Sequence, residues 1–184
     1  IIFMVDNSGS TLDTDPSQLV RVQTIQKFLA KYQSKTNFTY SFGYFSDETF
    51  VFDVATQRFQ RGLVPQNVFG KASDLAHALN LFTQVSPNGV TNYEPALTEV
   101  QSMIAQDPTL QRLITNVLTA ATFDGGLATS SMVLFDPIAD PQYGSSLDNL
   151  RSMAAQGNGQ FFDTNFPSPG GLAIDDIISV PGQT

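Results

Sequence analysis

Ile1-Ile2-Phe3-Met4-Val5-Asp6-Asn7-Ser8-Gly9-Ser10 is the stretch whose reading decides the fold. Its first five residues are apolar, mostly β-branched or aromatic, and unbroken, which predicts a strand buried on both faces of a sheet. The run stops at Asp6, and a small polar loop follows through Thr11. Asp6, Ser8 and Ser10 carry oxygen at alternate positions, so they converge on one point if the loop curls over the carboxyl end of the strand. Gly9 supplies the backbone freedom for that curl. One carboxylate and two hydroxyls make a hard-oxygen ligand set of low charge. It suits Mg²⁺, which keeps several waters and takes few protein carboxylates; Mn²⁺ and Ca²⁺ stay open.

Composition narrows the field. A chain of 184 residues has the length of one domain with a substantial core. It is 41% hydrophobic but only 14% charged, so its polar surface is built from Gln, Asn, Ser and Thr, a balance that leans towards an exported or surface-displayed protein. The net charge of −8 argues against nucleic acid or an anionic membrane as partner and is compatible with cations. With no Cys there is no disulfide, thiolate metal site or Cys nucleophile. No apolar run reaches the length of a membrane span, and there is no signal peptide. The chain opens directly on a strand, so it reads as a fragment of a longer protein.

Beyond the loop, Asp15-Pro16-Ser17 predicts a helix start, with Asp15 as cap. Leu19, Val22, Ile25, Phe28, Leu29 and Tyr32 then recur at helical spacing, giving an amphipathic helix over roughly 16–34. Phe38 to Phe45 and Thr49 to Val54 read as two strands of a hairpin-like pair around Ser46-Asp47-Glu48. Residues 55–72 read as a loop whose Arg58, Arg61 and Lys71 form a solvated face. A short helix is predicted near Ser73 to Phe82, with Leu75, Leu79 and Phe82 on its inner side and His77 on its surface. Ser86-Pro87-Asn88-Gly89 makes a tight loop, and Pro95 starts a helix carrying Leu97, Val100 and Ile104. Ser131 to Phe135 reads as a short buried strand. A helix around Leu147 to Ala154 ends at Gly157 and Gly159. Gln160 to Asp163 is an edge-like strand, and Leu172 to Ile178 a short closing helix.

The Asp6-x-Ser8-x-Ser10 loop after a strand resembles the metal-ion-dependent adhesion site of the von Willebrand factor A (vWA) domain family. A haloacid-dehalogenase nucleophile loop would need a second Asp where Ser8 stands. The stretch from Tyr40 to Phe52 resembles the family's second and third strands, and Leu150 to Phe162 its final helix-Gly-strand passage. Gly89, Thr91 and Ala96-Leu97 match the family's Gly-x-Thr turn before a helix, in which the Thr hydroxyl reaches the metal. The resemblance implies an α/β doubly wound sheet, mostly parallel with one antiparallel edge strand and helices on both faces. The site would lie at the carboxyl ends of the strands. It implies metal ligands Asp6, Ser8, Ser10 and Thr91. Integrin β-subunit domains of this kind hold an adjacent ion on an acidic pair, and Asp13 has a comparable offset. Asp15 is off by one and already serves as a cap, so a second ion is not expected.

The pattern breaks before Ser131, where the family has a strand, a loop whose Asp is the third arm of the metal site, and a helix. Here Leu113, Ile114, Val117, Leu118 and Ala121 fall at helical spacing. Either this is the missing strand and Asp124-Gly125 the loop, or it is the helix and a strand and loop are lacking between about 108 and 130. The second is preferred, which leaves Asp124 a weaker candidate ligand and Asp136 weaker still. Residues 1–184 are read as one domain of this type.

The expected function is therefore a divalent-cation-dependent protein-binding module, not an enzyme. A partner's Asp or Glu would complete the ion's shell, and the loop residues Asn7, Thr11, Ser46, Asn92 and Tyr93 would form the exposed rim. Tyr93 is the expected hot spot. The expected setting is extracellular or envelope, without membrane insertion. The alternative is an intracellular partner module of an ATPase or chelatase-type complex. A metal-dependent hydrolase is disfavoured, since no His cluster, Ser/His/Asp set or phosphate-cradling loop is present.

Overall fold

The computed structural model describes residues 1–15, 19–35, 37–61, 67–106, 131–133 and 161–163. The chain divides into two compact units, Ile1–Ile114 and Thr115–Thr184. The predicted helices at 113–121, 147–154 and 172–178, together with Asp124, Asp136 and Pro16, lie outside the described residues.

In the first unit β1 (Ile2–Asp6), α1 (Thr11–Thr14) and α2 (Leu19–Tyr32) are followed by β2 (Ser41–Phe45), β3 (Thr49–Asp53) and β4 (Arg58–Arg61). Then come α3 (Ala72–Phe82) and α4 (Tyr93–Gln106). The sheet has the order β1-β2-β3-β4. β1 and β2 are parallel, with Asp6 opposite Phe45, while β2–β3 and β3–β4 are antiparallel. The first unit is thus an α/β structure on a mixed sheet; among its described strands only one pair is parallel. In the second unit β5 (Ser131–Val133) and β6 (Phe161–Asp163) pair in parallel.

Alternation along β2 explains the layering. Phe42 and Tyr44 point to α3, where their rings lie 5.4 and 5.5 Å from that of Phe82. Ser41 and Phe45 point the other way: the Ser41 hydroxyl donates to Met103 Sδ at 3.4 Å, and the Phe45 ring lies 5.6 Å from that of Tyr93. β1 alternates in the same sense. Phe3 meets Phe28 of α2 at 5.6 Å, whereas Ile2 and Met4 pack on Val51, Val68 and Met103. Helices α2 and α3 therefore cover one face and α4 the other. Gly43 is needed between these layers, because a Cβ there would stand 2.9 Å from both Met4 Cε and the Phe50 carbonyl oxygen.

Three expectations need correction. β1 is half-buried along its length, not fully buried. It ends the sheet order, so among the described strands only β2 lies beside it. Residues 55–72 contain β4, whose Phe59 packs edge-on against Tyr44 and Phe52. Sequence alone hides it because the strand is four residues long and has only one inward apolar side chain. The strand predicted from Phe38 begins at Ser41, and Tyr40 instead bridges to Gly70. Arg58, Arg61, Lys71 and His77 are exposed, as expected. No helix among the described residues is long and apolar enough to cross a membrane.

Candidate metal centre

At the carboxyl end of β1 the chain turns sharply. The Ser8 N–H donates to Asp6 Oδ1 at 2.8 Å, which folds the Asp6 side chain back over its own loop. Thr11 closes the turn, its N–H and its hydroxyl both donating to the Ser8 carbonyl, at 3.0 and 2.7 Å. The turn leaves the Ser8 and Ser10 hydroxyls 3.1 Å apart.

A second loop, residues 83–92, arrives beside the first and is tied to it by main-chain bonds. Gly9 N–H donates to the Gly89 carbonyl at 2.9 Å, and Asn88 N–H to the Asn7 carbonyl at 3.1 Å. The β2–β3 turn joins them. Asn7 N–H donates to the Phe45 carbonyl at 2.7 Å, Asn92 N–H to the Ser46 carbonyl at 2.9 Å, and Val90 N–H to Asp47 Oδ1 at 3.0 Å. Gly89 has φ of +71°, and a Cβ there would stand 1.5 Å from Asp47 Oδ1. Only glycine accepts that backbone without strain.

This framework delivers Thr91 to the first loop: its hydroxyl donates to Ser8 Oγ at 2.8 Å. A Thr before a helix is ordinarily a cap, but that task falls here to Asn92, whose Oδ1 accepts the Glu94 N–H of α4 at 3.2 Å. Of the expected ligands, Asp6, Ser8, Ser10 and Thr91 are brought together. The Ser8–Ser10 and Ser8–Thr91 hydroxyl spacings are close to the roughly 2.9 Å between neighbouring ligands of octahedral Mg²⁺ with ion–oxygen distances of about 2.0–2.1 Å. No group of three or more His, Cys, Asp or Glu that could hold a metal ion occurs among the described residues; the expected ligands among them are three neutral hydroxyls and one carboxylate.

Burial raises the Asp6 pKa above its ordinary 3.8. The Ser8 N–H, the Ser8 hydroxyl and the Arg21 charge pull it back. Tyr93 is pushed up to about 12, first by burial and then by the Asp6 charge, which places its phenol in the field of that carboxylate.

The expected rim holds only in part. Asn92 is exposed and Tyr93 half-buried, but Asn7, Thr11 and Ser46 are 1%, 7% and 6% exposed, so they do not stand on an exposed rim. The reason is the main-chain bonding just described, which turns small polar loop residues inward.

Two contributors escape a reading of the loops alone. One is Asp47. The other is Arg21, only 6% exposed, whose Nε donates to Asp15 Oδ2 at 2.9 Å and whose Nη2 donates to the Asp15 carbonyl at 3.2 Å. Its Nη1 donates to the Asp6 carbonyl and, at 3.3 Å, to Asn7 Oδ1. Arg21, Ile25, Phe28 and Tyr32 form one buried stripe of α2, and a charge inside such a stripe was the available signal. Asp15, the residue that ends α1, also accepts the Arg21 N–H on its Oδ2 at 3.2 Å; the helix start expected at Pro16 lies outside the described residues. No protein-family model matches this sequence, and no curated protein matches it significantly.

Proposed function

We propose that the chain is a vWA-like module that binds protein partners through a divalent cation. The observation that carries this reading is the Ser8, Ser10 and Thr91 hydroxyl cluster, assembled from two loops beside the Asp6 carboxylate at the end of β1. Asp6, Ser8, Ser10 and Thr91 would hold Mg²⁺, Mn²⁺ or Ca²⁺. Neutral hydroxyls leave the ion much of its charge, so it attracts an Asp or Glu of the partner. The doubly wound, mostly parallel sheet of such domains, with helices on both faces, belongs to the same proposal, as do an extracellular or envelope setting and a non-catalytic role. Supporting features are helices on both faces of the described sheet, the antiparallel β3 beside β2, and a surface rich in neutral polar residues.

The test has two arms. Calorimetry with Mn²⁺ should show one site in the wild type and none in the Ser8→Ala, Ser10→Ala double variant. Capture from surface extracts should require divalent ion, fail in EDTA and fail with Asp6→Ala. Equal capture by Asp6→Ala in EDTA would mean that the domain binds through another face.

A further inference from the structure

We infer that Asp15 and Arg21 form a charge-balanced strut behind the loop, and that cation binding depends on Asp15 although Asp15 is not a ligand. The inference rests on the cation-site reading above. An arginine cannot shed its charge by losing a proton, so a guanidinium buried at 6% exposure needs a fixed counter-charge. Asp15, 4% exposed and 2.9 Å away, supplies it. The guanidinium lies over the Phe82 ring, 5.7 Å from its centroid, and its other N–H groups grip the Asp6 carbonyl and Asn7 Oδ1. These bonds seat the guanidinium against the Asp6–Asn7 turn from which the candidate ligands spring. It also puts a full positive charge behind the place a dication would occupy.

The paired Asp15 carboxylate reduces that charge to a short dipole, whose field falls off much faster than that of a lone ion. Without it, the guanidinium would have, among the described residues, only the candidate ligand Asp6 as counter-charge, in competition with the cation.

The experiment is calorimetric titration of the 184-residue chain with Mn²⁺, with melting curves as a check on folding. Asp6→Asn reports on the cation-site reading itself: if the wild type binds no Mn²⁺, or Asp6→Asn binds as tightly, that reading falls. Asp15→Asn leaves Arg21 unbalanced and should weaken Mn²⁺ binding by about tenfold or more. Asp15→Asn combined with Arg21→Gln removes both charges and should bind within about threefold of wild type. Asp15→Asn binding like the wild type would overturn the strut. So would a folded double variant that binds as poorly as, or worse than, the single one, since a purely structural pair gives that pattern. Should Asp15→Asn fail to fold, the double variant decides alone: near-native affinity supports the strut, and a tenfold loss ends it.

Discussion

The Thr91 hydroxyl donates to the Ser8 hydroxyl at 2.8 Å across 83 positions of sequence, and this bond joins the two halves of the candidate site. Thr91→Ala removes it while leaving the main-chain ties of Asn88 and Asn92 in place. The variant should melt within a few degrees of wild type yet lose cation affinity. Even outer partners of a bound ion are worth about 10–100-fold, so a direct ligand should cost at least roughly tenfold. Calorimetry with Mn²⁺ reads this, and unchanged affinity would remove Thr91 from the site.

The raised pKa of Asp6 has two consequences of opposite sign. A cation needs the carboxylate, so affinity should fall on acidification through a pH above the ordinary 3.8. Folding without cation behaves the other way. Between the unfolded and the raised folded pKa the native state holds more protons, so this group's contribution to stability falls as pH rises. Asp6→Asn should therefore melt at or above the wild-type temperature in EDTA at pH 7, and below it in excess Mg²⁺. Thermal scans in the two buffers test the crossover. A variant that melts lower in both would mean that the charge is well solvated.

Gly89→Ala meets two obstacles. The left-handed backbone costs a non-glycine residue about 1–2 kcal/mol. The new Cβ also drives away the Asp47 carboxylate that holds Val90 N–H. A destabilisation of about 1–3 kcal/mol is expected in urea unfolding. Asp47→Ala in the same background should recover the part due to collision and leave the part due to backbone strain.

Phe82 is fully buried and touches Phe42, Tyr44 and the Arg21 guanidinium at once. Phe82→Ala should cost about 3–5 kcal/mol. For a chain of this size that lowers the melting temperature by roughly 6–20 °C. A drop under about 3 °C would mean that the aromatic layer between β2 and α3 closes over the gap.

What sequence conveyed and what it hid follow from range. The helical stripe Ile25, Phe28 and Tyr32 and the α3 set Leu75, Leu79 and Phe82 are local periodicities, and they fall as read. The hairpin around Ser46 is equally local, since β2 and β3 are joined by a short polar turn. The Asp6, Ser8 and Ser10 cluster was legible because one curled loop makes it. Thr91 entered through a resemblance, its partner being far along the chain. Burial of Asn7, Thr11 and Ser46 was not legible. Polarity says exposed, but Asn7 and Ser46 bond through the main chain to Phe45 and Asn92, distant in sequence, and Thr11 folds back on Ser8. β4 escaped because its neighbour, β3, rather than its own composition, makes it a strand.

The ties among Gly9, Gly89, Asn7, Asn88, Ser46 and Asn92 run through peptide groups, which are blind to side-chain identity. Exposed positions riding on that lattice, Leu12 and Val90, can be rewritten without disturbing what carries them. Gly9 and Gly89 stay fixed by their geometry, Ser10 by its proposed duty and Asn92 by its cap on α4, which leaves two neighbouring positions open to randomisation. A display library at Leu12 and Val90 would thus vary the specificity of the face while its architecture held still.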